Sequence, residues 1–185
     1  MSNIVIISGS PTQPSRSFAI ATYLEKLLTS KGQQIEVMNV RDLPPEDLVY
    51  ANFKSKAINQ ALDKIEKAHA IIVISPIYKA SYTGVLKTFF DLIPEKGLSE
   101  KIILPIASGG TVAHLLSLEY AFKPLFSILN CQEILTGVYL VDSQFTYKEN
   151  EMTFHETEIQ HRLHASIECL LTKLIDHETA QFIQG

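Results

Sequence analysis

Short β-branched runs alternate with longer amphipathic stretches along this chain, and that alternation constrains the fold more than any other feature. Residues 3–7 (NIVII), 70–74 (AIIVI) and 101–107 (KIILPIA) are nearly continuous apolar runs. Such runs suit strands buried on both faces. Residues 34–40 (QIEVMNV) and 133–140 (EILTGVYL) complete five strands. Between and after them lie helical patterns over 17–28, 57–67, 85–92, 112–129 and 157–177. The first carries apolar residues at Phe18, Ile20, Ala21, Leu24, Leu27 and Leu28, a stripe at helical spacing, and Gly32 follows as its stop. Strands alternating with helices predict a parallel sheet covered on both faces. Five such units fit an α/β doubly wound, five-stranded sheet of order 2-1-3-4-5. No repeat or linker divides the chain, so residues 1–185 read as one domain. Residues 41–54 (RDLPPEDLVYANFK) read as a long functional or interface loop.

Composition excludes several classes. Hydrophobic residues make up 46% and charged residues 19%, which rules out wholesale disorder. The net charge of −4, without a basic block, argues against nucleic-acid binding. No apolar run nears the roughly 20 residues that span a bilayer. The Met1-Ser2-Asn3 start has no basic region or cleavage site, so no signal peptide is read. Cys131 and Cys169 form no C-x-x-C frame and read as two buried reduced thiols in a cytoplasmic protein. His161 and His164 stand three apart on a helix without a Cys or acidic frame. With His155 they read as a solvated face, and no metal site is assigned.

In a sheet of this kind, ligands sit beyond the carboxyl ends of the strands near the switch point. Three turns lie there. The first, Ser8 to Ser17 (SGSPTQPSRS), offers the hydroxyls of Ser10, Ser15 and Ser17, the Arg16 fork and a helix N-terminus. Together these suit a phosphate monoester. The loop is neither G-x-G-x-x-G nor Walker A. The second, Ser75 to Gly84 (SPIYKASYTG), combines Pro76, Ile77, Tyr78 and Lys79 with small residues that leave room for a flat ring. The third, Ser108-Gly109-Gly110-Thr111, lets backbone approach a ligand closely and caps the next helix. His114 behind it reads equally as structural or ligand-facing. One phosphate turn and two ring turns on one sheet edge describe a flavin mononucleotide site.

The helical pattern over 112–129 contains Pro124. Lacking an N–H, it strips the Tyr120 carbonyl of its normal partner, which marks a kink or a π-bulge. This pattern is apolar nearly all round, from Val112, Leu115 and Leu116 to Phe126 and Ile128. One side meets the sheet, and the other predicts a second copy of the chain.

With these residues the sequence resembles the NADPH-dependent FMN reductases of two-component sulfonate monooxygenase systems, which have a flavodoxin-like fold. The resemblance rests on G-S-P-x-x-P-S-R-S from Gly9, P-E-D-L-x-Y-A-x-F from Pro45, P-x-Y-K-A-x-Y-x-G from Pro76 and Leu86-Lys87-Thr88. It continues through G-G-T-V-A-H-L-L from Gly109, Glu119 to Pro124, and Gln132 to Leu135. It covers about residues 3–144, and the tail matches only in being helical. It implies that Ser10, Ser15, Arg16 and Ser17 hold the FMN phosphate. Pro76, Ile77, Tyr78, Lys79, Ser108, Gly109, Gly110 and Thr111 would meet the ribityl chain and ring. It further implies that Tyr120 marks a π-bulge at a subunit interface, serving flavin transfer rather than acid–base chemistry. The implied activity is hydride transfer from NADPH to FMN by a cytoplasmic homo-oligomer, a dimer or a homotetramer. Reduced FMN would pass to a flavin-dependent monooxygenase of sulfonate metabolism. Two other readings stay open at this level: a quinone or azo reductase with tightly bound FMN, and a non-enzymatic flavodoxin-like electron carrier.

Overall fold

The computed structural model describes residues 2–131, 133–148 and 151–184, with side chains described through residue 179. Gln132, quoted above among the matching residues, lies outside them. The elements run β1 (Asn3–Ser8), α1 (Arg16–Ser30), β2 (Gln34–Asn39), α2 (Pro45–Val49), α3 (Lys56–Lys67), β3 (Ala70–Pro76), α4 (Gly84–Phe90) and β4 (Ile102–Gly109). A π-helix (Leu118–Phe122) and α5 (Lys123–Ile128) follow. The chain ends in β5 (Glu133–Ile134), β6 (Val138–Val141), a hairpin of β7 (Phe145–Lys148) and β8 (Glu151–Phe154), and α6 (Thr157–Gln184).

The main sheet is parallel, in the order β2-β1-β3-β4-β5, with β6 also paired to β4. The anticipated topology is therefore present. Successive strand residues face opposite layers, as the two-residue period requires. Ile4, Ile6, Ile72 and Ile74 pack under α1 and α6, whereas Val5, Ile7, Ile71 and Val73 pack against α3, α4 and the π-helix segment. All eight are fully buried. Burying each such side chain is worth about 1.5–3 kcal/mol, so the two layers dominate folding.

Three expectations need correction. The fifth strand is not continuous. It pairs Ile134 with Ile103 and then Val138 with Ile106, so one extra residue intervenes on the edge strand. Opposite the break, Pro105 has no N–H to donate to the ladder. A Cβ on Gly137 would stand 2.9 Å from the Pro105 carbonyl, so only glycine passes there. The 41–54 segment is not a plain loop, because it holds α2. Asp47 on this helix accepts from Ser55 Oγ at 2.5 Å and Asn52 Nδ2 at 2.7 Å. These two bonds hold its carboxyl below the usual range. The hairpin β7–β8 was not anticipated at all. It is seated by Phe145, buried and 6.5 Å from Phe154 between ring centres. Phe154 meets Tyr23 of α1 edge-on at 5.4 Å.

Two readings of titratable groups also change. Cys169 is exposed rather than buried, and Cys131 is half-buried, its thiol pushed up to about 11 by burial. His164 is not on a solvated face: its Nε2 sits 2.5 Å from the Tyr23 hydroxyl, joining α6 to α1.

Candidate functional site

The carboxyl ends of β1, β3 and β4 open into a cleft of about 250 Å³. Ser10, Ser15, Arg16, Ser17, Pro76, Ile77, Tyr78, Ser108, Gly109 and Gly110 line it, so the three turns converge as the strand-end rule requires.

The first turn is braced by contacts with its own chain. Gly9 N–H donates to the Ile74 carbonyl at 2.8 Å. A Cβ on Gly9 would meet Leu86 Cβ at 2.8 Å, so glycine lets this turn lie against α4. Ser10 Oγ accepts from Thr12 N–H at 3.3 Å and shapes the loop itself. Ser15 caps α1, its Oγ accepting from Phe18 N–H at 3.1 Å. The helix then presents the N–H groups of Arg16 and Ser17, which no carbonyl within the helix can receive. Ser17 is 1% exposed, and its Oγ finds no hydrogen-bond partner among the described residues. A buried hydroxyl left unpaired costs about 1–3 kcal/mol. Here it lines the cleft at the positive end of a 15-residue helix. These donors fit a phosphate group.

The second turn is tighter than its sequence suggested. Tyr78 and Ser81 pair across Lys79 and Ala80, whose φ angles are 51° and 66°. Both lie in the left-handed region that glycine or asparagine usually fills in such turns. The turn holds Tyr78 at the cleft, half exposed, whereas Lys79 is exposed and does not line the cleft. At the third turn, a Cβ on Gly109 would collide with the Tyr139 hydroxyl, which donates to the Thr111 carbonyl at 2.8 Å. Glycine is needed there for packing, whereas Gly110 faces open space. Thr111 lies off the cleft and caps the short helical turn Val112–His114, its Oγ1 accepting from Ala113 N–H at 3.3 Å. His114 does not line the cleft either.

The long helix anticipated over 112–129 is broken into a 3₁₀ turn, the π-helix and α5. Lys123 N–H donates to the Leu118 carbonyl, five residues back. The wider turn places Tyr120, 79% exposed, outside the cleft wall of its own chain. Behind it, Phe122 is buried and meets Tyr82 edge-on at 5.4 Å.

Thr12 and Pro14, which belong to the anticipated first turn but had no role assigned, also line the cleft, as do Asp142 and Tyr147, which were not anticipated. Asp142 directly follows β6, so applying the strand-end rule to the last strand would have found it. Tyr147 comes from β7, for which the sequence carried no clear signal.

A family model described as NADPH-dependent FMN reductase matches residues 2–146. The chain is 41% identical over 165 residues to FMN reductase (NADPH) of Escherichia coli K12, covering 89% of this chain and 86% of that protein. It is 33% identical to the NADH-dependent FMN reductase SfnE of Pseudomonas putida, covering 74% and 75%. Among solved structures, the apo form of an NADH:FMN oxidoreductase, EmoB, superposes with a TM-score of 0.78 at 31% identity, covering 92% of this chain and 88% of that one. With a family model matched over most of the chain and a relative 41% identical across 89% of it, this protein belongs to the NADPH-dependent FMN reductase family of oxidoreductases.

Proposed function

We propose that this chain binds FMN with its phosphate in the Ser10–Ser17 turn and its ring toward Pro76–Tyr78 and Ser108–Gly110, and reduces it with NADPH. The orphaned Ser17 hydroxyl at the start of α1 carries this reading. When bound, the flavin supplies the hydride-accepting ring. The chain's part is to hold the two rings face to face and exclude other geometries, which needs no dedicated acid or base. Lys79 and Thr111 then act on the flavin through the backbone of their turns.

The cleft of one chain lies below the roughly 300–1,000 Å³ typical of small-molecule sites. A second copy therefore supplies part of the wall. Val112, Leu116, Tyr120 and Ile128 are each at least 60% exposed on one stretch of chain and suit that contact. In a dimer or tetramer built this way, Tyr120 meets the partner copy near the flavin and governs its transfer. The reduced FMN passes to a flavin-dependent monooxygenase, the sulfonate-using class that the motif resemblance indicates. Two unpaired cysteines suit a reducing cytoplasm.

NADPH oxidation measured with and without added FMN tests the proposal. FMN-dependent turnover with sequential initial-rate patterns supports it. Ping-pong kinetics from a permanently yellow enzyme would favour the quinone or azo reductase reading. NADPH left unoxidised with FMN present would favour the electron carrier.

A further inference from the structure

Arg16 is the one cation among the described residues that line the cleft, and it already faces an acid. Its Nε lies 3.5 Å from Asp142 Oδ1, and both side chains are about one-third to one-half exposed. Asp142 is also the one carboxylate on that wall, so the cradle as built carries no net side-chain charge.

The backbone that carries this carboxylate is braced on both sides. It opens a short turn, Asp142–Gln144, at the end of β6. Gln144 Oε1 accepts from Val141 N–H at 2.8 Å, and the Gln144 carbonyl accepts from His155 N–H at 2.9 Å. His155 Nδ1 donates to the Ser143 carbonyl at 2.8 Å. On the strand side, Arg162 of α6 donates to the Tyr139 carbonyl at 2.8 Å. The acid's field also reaches neighbouring groups: after burial, Asp142 is the further cause that raises the Tyr139 hydroxyl above its usual range.

We propose that Asp142 sets the affinity for the phosphate end of the flavin by offsetting Arg16, so that the nucleotide is held loosely enough to leave. This rests on the phosphate-turn reading above. A phosphate monoester bears about −1.5 to −2 charges near neutral pH. Brought to this turn, it gains Arg16 but meets Asp142, and the two partly cancel. Helix N–H groups and the Ser17 hydroxyl are left to supply most of the hold. A flavin without the phosphate lacks this repulsion, so Asp142 narrows the preference for FMN over riboflavin.

The test is the dissociation constants of FMN and riboflavin, read by quenching of flavin fluorescence, for wild type, D142N, D142S and R16A. The two Asp142 variants guard against a substitution that merely disturbs the turn, and circular dichroism checks the fold of each. The proposal predicts FMN binding about three- to tenfold tighter in D142N and D142S, with riboflavin unchanged. FMN binding unchanged or weakened in both overturns it, and so does equal tightening of both flavins. Failure of the phosphate turn itself looks different. In that case R16A leaves FMN and riboflavin affinities where they were in wild type.

Discussion

The hydroxyl of Thr83 donates to the carbonyl of Gly9 at 2.5 Å, across 74 positions of sequence. The same Oγ1 accepts from Leu86 N–H at 3.0 Å and so caps α4. One buried side chain thus ties the Ser8–Ser17 turn to the helix that follows the Ser75–Gly84 turn. Thr83→Val keeps the shape but leaves the Gly9 carbonyl and the Leu86 N–H unpaired. It should cost about 2–3 kcal/mol and weaken FMN binding with it. Thr83→Ser should retain most of both. Urea unfolding of the two variants measures the first effect, and flavin titration the second. Equal stability of valine and threonine would mean the tie contributes nothing.

Ser17 separates binding from folding. Its hydroxyl is buried without a partner, so Ser17→Ala removes an uncompensated group. Stability should stay level or rise slightly, by up to about 1 kcal/mol. FMN affinity should fall roughly tenfold, the loss of one charge-assisted hydrogen bond, and riboflavin affinity should not move. Thermal melts paired with the two titrations decide it. A loss of stability without loss of FMN affinity would make Ser17 structural.

His164 gives the fold a pH dependence near neutrality. Burial, then the charges of Lys31 and His161, push it below the ordinary histidine value of 6.5, and Glu168 opposes them weakly. The folded chain therefore keeps His164 neutral where the unfolded chain begins to protonate it. The stability tied to this group is whole above about pH 6.5 and drains as pH falls below it. Melting temperature followed from pH 7.5 to 5.5 should decline, and His164→Gln should flatten part of that decline. An unaltered slope in the variant would place the dependence on other groups.

Tyr120 reports on assembly. It is 79% exposed and carries little of its own chain's packing. Tyr120→Asp should shift chain stability by no more than about 0.5 kcal/mol, yet lower the particle mass in light scattering, as the proposed contact with a second copy requires. A particle mass unchanged from wild type would remove this surface from the interface.

Periodicity reached the parallel sheet, because strands buried on both faces must read as unbroken apolar runs between helices, and the general rule for doubly wound sheets supplied its order. It also reached the three turns, since parallel strands send all their carboxyl ends to one edge. The π-helix at Tyr120 was legible through Pro124, whose missing N–H disturbs the ladder wherever it sits in a helix. The break in the last strand was not legible, because Pro105, which causes it, belongs to the neighbouring strand. Nor was the left-handed path of Lys79 and Ala80, residues whose side chains give no hint of it. Asp142 stands 126 positions from Arg16, and only the folding of β6 beside β4 sets that acid against that base. The sequence by itself determined the sheet, the edge where its turns meet and the donors gathered in the first turn, all of which depend on local pattern. Tertiary structure alone decided how strongly charged that edge is, because the charge depends on which distant carboxylate packing brings to Arg16.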